Sequence, residues 1–388
     1  MKNEGSELRD GPDQSTLTPL GTPIAPAPPI PPTGNESIDA QVAALVERWG
    51  ADHSPELVAE MIGTILKMAR DRMSVADLKL FNRALKEMRR AGRMWVPYKD
   101  VPKICVFGSA RTTPDAIEYQ VAENFGRRMR EEGFMVITGG GDGIMGAAQK
   151  GAGRDRSFGL NIRLPFEQQA NETIIGDPKL VEFNYFFTRK LNFVKESHAI
   201  ALFPGGYGTL DEGFETLTLL QTGKSKIIPI ILIDKPGGEY WKKWVEFMRE
   251  NLMKAGLISD EDFVFFRMTD DIETAVGEVL RFYRVYHSSR YVGDRFVIRL
   301  KARLTRPAIE ALNRDFSDLL QEGEFQQCAA LRQERGEPEV FHLPRLVFTL
   351  RRRSFARLRM LIDAIDNSAT EKRPGDAALA ESRKQPAS

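Results

Sequence analysis

Cysteine and histidine are nearly missing from this chain, with two of the first and four of the second in 388 residues. Cys105 lies in an apolar, strand-like run and Cys328 far downstream, which gives neither a disulfide framework nor a metal-ligand cluster. Such sparse cysteine fits a reducing compartment. An excess of one charge sign is also lacking: 55 Lys and Arg face 54 Asp and Glu, for a formal net charge of +1. No overall basic surplus therefore points to nucleic acid or an anionic membrane. No apolar run is long enough to span a bilayer, and the opening MKNEGSELRDGPDQ has no apolar core of the kind an export signal needs. The expectation is a cytoplasmic protein, with a 42% hydrophobic content ordinary for a globular chain.

What is present changes character along the chain. Residues 1–36 are rich in Pro, Gly, Ser and Thr, and TPIAPAPPIPPTG reads as a disordered polyproline-type tail. Residues 37–100 read as a helical extension, a cap or an oligomerisation element: Ile38, Val42, Leu45 and Val46 share one helix face, and SPELVAEM offers Ser54 as N-cap with Pro55 at the first helical position. From 101 to 287 short apolar strands such as KICVF, MVIT and AIALF alternate with helical segments. That pattern predicts an α/β fold with a Rossmann-like, doubly wound, mostly parallel sheet, whose ligands bind beyond the C-terminal strand ends. Residues 288–366 read as a small α+β module of βαβα order. Its arginines 345, 351, 352, 353, 357 and 359 are expected to form a solvated face with contacts to the main domain, because no RNA-binding signature accompanies them. Residues 367–388 read as a frayed, disordered tail.

Three glycine loops fall at predicted strand ends. In FGSAR, Gly108 and Ser109 let backbone approach a ligand closely, and Arg111 can meet an anion. TGGGDGIMGAA holds a G-x-G-x-x-G as Gly141, Gly143 and Gly146, between a strand and a helix. The next strand, however, ends in Asn161 and Arg163 with no acid placed for a ribose diol, so this loop suits one phosphate or a nucleoside better than NAD. The third, FPGGYGTLDE, places Gly205, Gly206, Gly208 and Thr209 at a helix start, where free N–H groups and the helix dipole favour an anion. A Walker A loop is excluded, because Thr218 stands where TGKS would need its leading glycine. Glu212, three residues after Thr209, reads either as the acid of a capping box or as a carboxylate facing a ligand. Upstream, Arg189 and Lys190 open a helix whose dipole disfavours them, which calls for something negative nearby.

TGGGDGIMGAA, FFTRK and PGGYGTLDE, in that order and spacing, resemble the LONELY GUY (LOG) family of nucleoside 5′-monophosphate phosphoribohydrolases over roughly residues 101–287. The resemblance implies a homo-oligomer that cleaves an N-glycosidic bond to free base and ribose 5-phosphate, with neither metal nor cofactor. Carried over by motif, Arg189 and Glu212 are the catalytic pair. Gly205, Gly206, Gly208 and Thr209 form the phosphate-binding turn. Gly140, Gly141 and Met145 line the nucleotide site, with Gly108, Ser109 and Lys190 as further binding residues. Asp142 and Gly143 replace a Ser-containing run of many cytokinin-activating members, so AMP, a cytokinin nucleotide or another monophosphate all fit. An oxocarbenium-like transition state needs a carboxylate near the sugar, and Glu212 is expected to be held anionic by the helix dipole. The main alternative is a nucleotide-binding sensor or carrier without chemistry. A nicotinamide oxidoreductase rests on the G-x-G-x-x-G alone. The C-terminal module is expected to modulate assembly or access.

Overall fold

The computed structural model describes residues 33–50, 54–165, 169–334, 336–351 and 354–371. The two tails expected to be disordered lie almost wholly outside the described residues, as do Arg352 and Arg353. Among the described residues the chain forms two compact units, one ending at Pro97 and one beginning at Tyr98.

The first unit consists of helices α1 (Glu36–Arg48), α2 (Pro55–Arg70) and α3 (Val75–Trp95). Pro55 does open α2, where its missing N–H costs nothing, but Ser54 sits at φ +52° and its side chain makes no capping bond. No residue of α2 is buried, and Leu57, Met61 and Ile65 stand exposed along one face.

In the second unit, seven strands form a sheet in the order β4-β3-β2-β1-β5-β6-β7. They are β1 (Lys103–Phe107), β2 (Met135–Thr138), β3 (Ser157–Ile162), β4 (Leu180–Phe183), β5 (Ala199–Leu202), β6 (Ile230–Ile233) and β7 (Phe266–Thr269). Every neighbouring pair runs parallel. The strands are continuous apolar runs because helices cover both faces: residues of β1, β2, β5 and β6 are buried at nearly every position. The covering helices are α4 (Ile117–Glu131), α5 (Ile144–Ala152), α6 (Phe186–Glu196), α7 (Tyr207–Gln221), α8 (Tyr240–Phe247) and α9 (Ile272–Phe282). The expected doubly wound α/β fold is thus present. Its order reverses between β1 and β5, which opens a crevice at their C-terminal ends.

The C-terminal part is an antiparallel sheet, β10-β11-β9-β8, from β8 (Tyr286–Val292), β9 (Arg295–Leu300), β10 (Leu320–Cys328) and β11 (Arg345–Leu350). Helices α10 (Arg306–Asp315) and α11 (Phe355–Asn367) complete it. The order is therefore ββαββα instead of βαβα. Both additional strands, β8 and β10, are the outer ones of the sheet. Their sequences YHSSRYV and LQEGEFQQC carry too few apolar residues to announce a strand. The arginines also depart from expectation. Arg345 is fully buried, with Nε bonded to Glu334 at 2.9 Å, and Arg359 is buried between Glu278 of α9 and Asp363. Paired carboxylates make that burial tolerable, as burial of an unpaired guanidinium would not be. Arg357, bound to Asp318 at 2.7 Å, remains nearer the surface.

Candidate active site

The chain turns sharply after β1 and after β5, and the two turns are tied together. Phe203 donates to the Phe107 carbonyl at 2.8 Å, and the Ser109 N–H donates to the Pro204 carbonyl at 3.1 Å. Gly205 is needed at this crossing, since a Cβ there would overlap Thr209 Oγ1 and lie 3.0 Å from the Ser109 nitrogen. A third strand end joins them: Ile144, first residue of α5, donates to the Ser109 carbonyl at 3.0 Å, and a Cβ on Gly143, at φ +63°, would overlap that same oxygen. Three loops that are distant in sequence thereby converge on one cavity of about 630 Å³.

Its wall includes Gly108, Ser109, Met145, Gly206, Gly208, Thr209, Arg189 and Glu212, all singled out from the sequence. At its floor α7 begins, with Gly206 as N-cap and no side-chain cap. The first N–H groups of the helix, on Tyr207 and Gly208, lack intrahelical acceptors and form a place for an anion. Arg111 also lines the cavity.

The position of Gly206 rules out a capping box. Thr209 is the third residue of α7 and Glu212 the sixth, one turn further in, so Glu212 caps nothing. It is instead 4% exposed and faces two cations of α6. Lys190 Nζ lies 3.2 Å from its Oε1 and Arg189 at 3.9 Å. Lys190 also pairs with Asp211 and Glu215, each at 2.9 Å. The acids required by cations at the start of α6 thus come from one face of α7. Arg189 is wedged between the rings of Phe186 and Phe193, 5.1 and 5.5 Å from their centroids, with its Nε buried and unpartnered.

Electrostatics here differ from a simple dipole picture. Burial pushes the Glu212 carboxyl above its usual range, and the Lys190 and Arg189 charges pull against that rise. Burial also works against the charge on Lys190, but hydrogen bonds to Asp211 and Glu215 outweigh it and hold its pKa above normal. Glu212 is therefore a desolvated carboxyl whose pKa burial lifts against the pull of two close cations, an environment suited to taking a proton.

Against known proteins, residues 145–279 match the family model described as "Possible lysine decarboxylase". A probable cytokinin riboside 5′-monophosphate phosphoribohydrolase of Oryza sativa subsp. japonica is 35% identical over 31% of this chain and 49% of its own length. A cytokinin riboside 5′-monophosphate phosphoribohydrolase of Arabidopsis thaliana is 26% identical over 40% of this chain and 71% of its own. The α/β domain is thus similar, over the matched residues, to proteins of the LOG family. With the first of those relatives the chain shares about half the relative's length. A solved molybdenum cofactor binding protein from Rippkaea orientalis is 20% identical over 45% of this chain and 93% of that one, with a TM-score of 0.32.

In this domain four of the expected binding residues stand behind the cavity wall. The carbonyls of Gly140 and Gly141 accept from the Asn171 side chain, at 3.1 and 2.9 Å. Gly205 presents its carbonyl to the Tyr240 hydroxyl at 2.6 Å, and Lys190 is taken up by the three acids. Conversely Phe107, Gly139, Asn161, Phe193 and Tyr207 line the cavity without having been expected there. Asn161 carried the clearest signal: it is the penultimate residue of β3, beside the strand whose loop holds the glycines. Among the described residues no group of three or more His, Cys, Asp or Glu is placed to hold a metal ion. No helix among them is long and apolar enough to cross a membrane.

Proposed function

We propose that the protein hydrolyses the N-glycosidic bond of a nucleoside 5′-monophosphate, AMP or a cytokinin-type nucleotide, to the free base and ribose 5-phosphate. One observation carries this reading: the buried Arg189–Glu212 pair, backed by Lys190, opens onto the same cavity as the uncapped start of α7. The 5′-phosphate seats on the Tyr207 and Gly208 N–H groups, with Thr209 and Arg111 beside it. Glu212 then stands toward the ribose. As the base departs with the electron pair of the glycosidic bond and positive charge builds on the sugar, the carboxylate stabilises that charge, takes the proton of the water that attacks the anomeric carbon, and gives it up to the departing base. Proton transfer is favoured because burial has already raised the affinity of Glu212 for it. Arg189, locked between two rings, fixes the reacting geometry. Phe107, Met145 and the Asn161 amide are left for the base. The relatives' activity on cytokinin nucleotides supports the substrate class.

The test is incubation of purified protein with a panel of nucleoside 5′-monophosphates, followed by assay of free base and ribose 5-phosphate. Equimolar release of the two from at least one nucleotide is expected. Tight binding without release from any member of the panel would make the protein a nucleotide carrier or sensor.

A further inference from the structure

A second cavity, of about 550 Å³, lies at the other end of the parallel sheet, lined by residues that precede β1, β2, β5 and β6. Its opposite wall comes from the antiparallel sheet, through Tyr286–Ser289 of β8 and Lys301 just beyond β9. Nothing in the glycosidic chemistry uses these groups.

The chemistry of the first wall is cationic. Lys226 donates to the Lys195 carbonyl at 3.3 Å and is within ion-pair distance of no carboxylate among the described residues. Glu196, the acid that most supports its charge, is already engaged by Lys195 and by Lys103 at 3.8 Å. Burial first, and then the neighbouring lysines, bring the Lys226 pKa down to about 8. His198 feels the same field: burial and the Lys226 and Lys103 charges lower it to about 3, so the ring is neutral. Its Nδ1 accepts the Lys103 N–H at 3.2 Å, which leaves the proton on Nε2 as a donor.

The second wall repeats the pattern. Burial, then Lys301 and Arg299, lower His287 to about 4. Lys301 Nζ donates to the Tyr283 carbonyl at 2.6 Å. The Ser288 hydroxyl lies 2.9 Å from His287 Nδ1, and that of Ser289 lies 3.0 Å from the Tyr286 hydroxyl. Two acids also line the cavity, Asp100 and Glu132, but Glu132 is turned to Arg128 at 3.3 Å. A half-buried ammonium with no carboxylate in direct contact among the described residues is poorly compensated, and an entering oxyanion would supply the missing charge.

We propose that this cavity binds a small phosphate-bearing anion, gripped by Lys226 and His198 from the parallel sheet and by Lys301 and the Ser288 and Ser289 hydroxyls from the antiparallel one. Such a ligand bridges the two sheets and sits apart from the nucleotide cavity. It gives the C-terminal sheet a task of its own: completing an anion site that the α/β domain supplies only in half.

Calorimetric titration of the full chain with pyrophosphate tests this, with Lys226→Met, Lys301→Met and, for the first cavity, Arg111→Met. Wild type and Arg111→Met should both retain a pyrophosphate site. Lys226→Met and Lys301→Met should each weaken it by about tenfold or more, as loss of a charge-assisted contact does. Lys226→Met should melt no earlier than wild type, because it removes a half-buried and poorly compensated charge, so weakened binding there would not be misfolding. Absence of binding to wild type, or binding unchanged in both lysine variants, would overturn the proposal.

Discussion

At Glu212, burial and counter-charge act on one carboxylate in opposite directions. Glutamine is nearly the same shape and stays neutral, so Glu212→Gln should leave a folded protein that still binds nucleotide but hydrolyses it about 10²- to 10⁴-fold more slowly, as loss of a general base does. Comparing nucleotide Kd with kcat for this variant checks it. In the proposed chemistry Lys190, 3.2 Å from Glu212, acts through it as a positioning residue. Lys190→Met removes a charge that lowers the Glu212 pKa, so that pKa must rise further. The acid limb of the kcat/KM profile should then move to higher pH, which a merely structural loss would not produce. An unmoved limb with a lower plateau would assign Lys190 to structure alone. Sequence identified the residue types here but not their geometry. The motif showed Arg189, Lys190 and Glu212, whereas the role of Lys190 depends on α7 starting at Tyr207, two residues before the apparent cap.

Among elements, the strand-turn-helix units of the parallel sheet were the most legible, because strands buried on both faces become unbroken apolar runs. The outer strands of the antiparallel sheet were not. Half-exposed β8 and β10 alternate too weakly, and only pairing with β9 and β11 defines them. Helix packing was equally hidden. Gly126 of α4 and Gly151 of α5 let those helices touch through backbone: a Cβ on Gly151 would overlap the Glu123 carbonyl and one on Gly126 the Ala148 carbonyl. Neither glycine announces this contact in sequence. Gly151→Ala should destabilise the protein by about 1–3 kcal/mol through overpacking, visible as a lower denaturant midpoint, although alanine is the better helix former.

Across the whole molecule, Asp366 of α11 fastens that helix to the junction between α9 and β8. Its Oδ1 accepts the Val285 and Tyr286 N–H groups where α9 gives way to β8, the latter at 2.9 Å, while Oδ2 is buried without a partner. Burial raises its pKa from 3.8 to about 6, against those two hydrogen bonds. The folded state therefore binds a proton more tightly than the unfolded one, and the contribution of this group to stability is lost as pH rises from about 4 through about 6. Asp366→Asn, whose amide oxygen still accepts both N–H groups, should flatten that part of the stability profile measured by denaturant titration. A slope between those pH values as steep as in wild type would show that other groups carry it. Such a link was invisible in sequence, where Asp366 is one acid among many at a helix end.

Hydrolysis at the first cavity is decided by assaying release of free base and ribose 5-phosphate from a panel of nucleoside 5′-monophosphates, with wild type and Glu212→Gln side by side. Wild type should release equal amounts of both products from at least one nucleotide, and the variant should be nearly silent despite retained binding. Normal release by Glu212→Gln, or none by wild type with any nucleotide it binds, would contradict it.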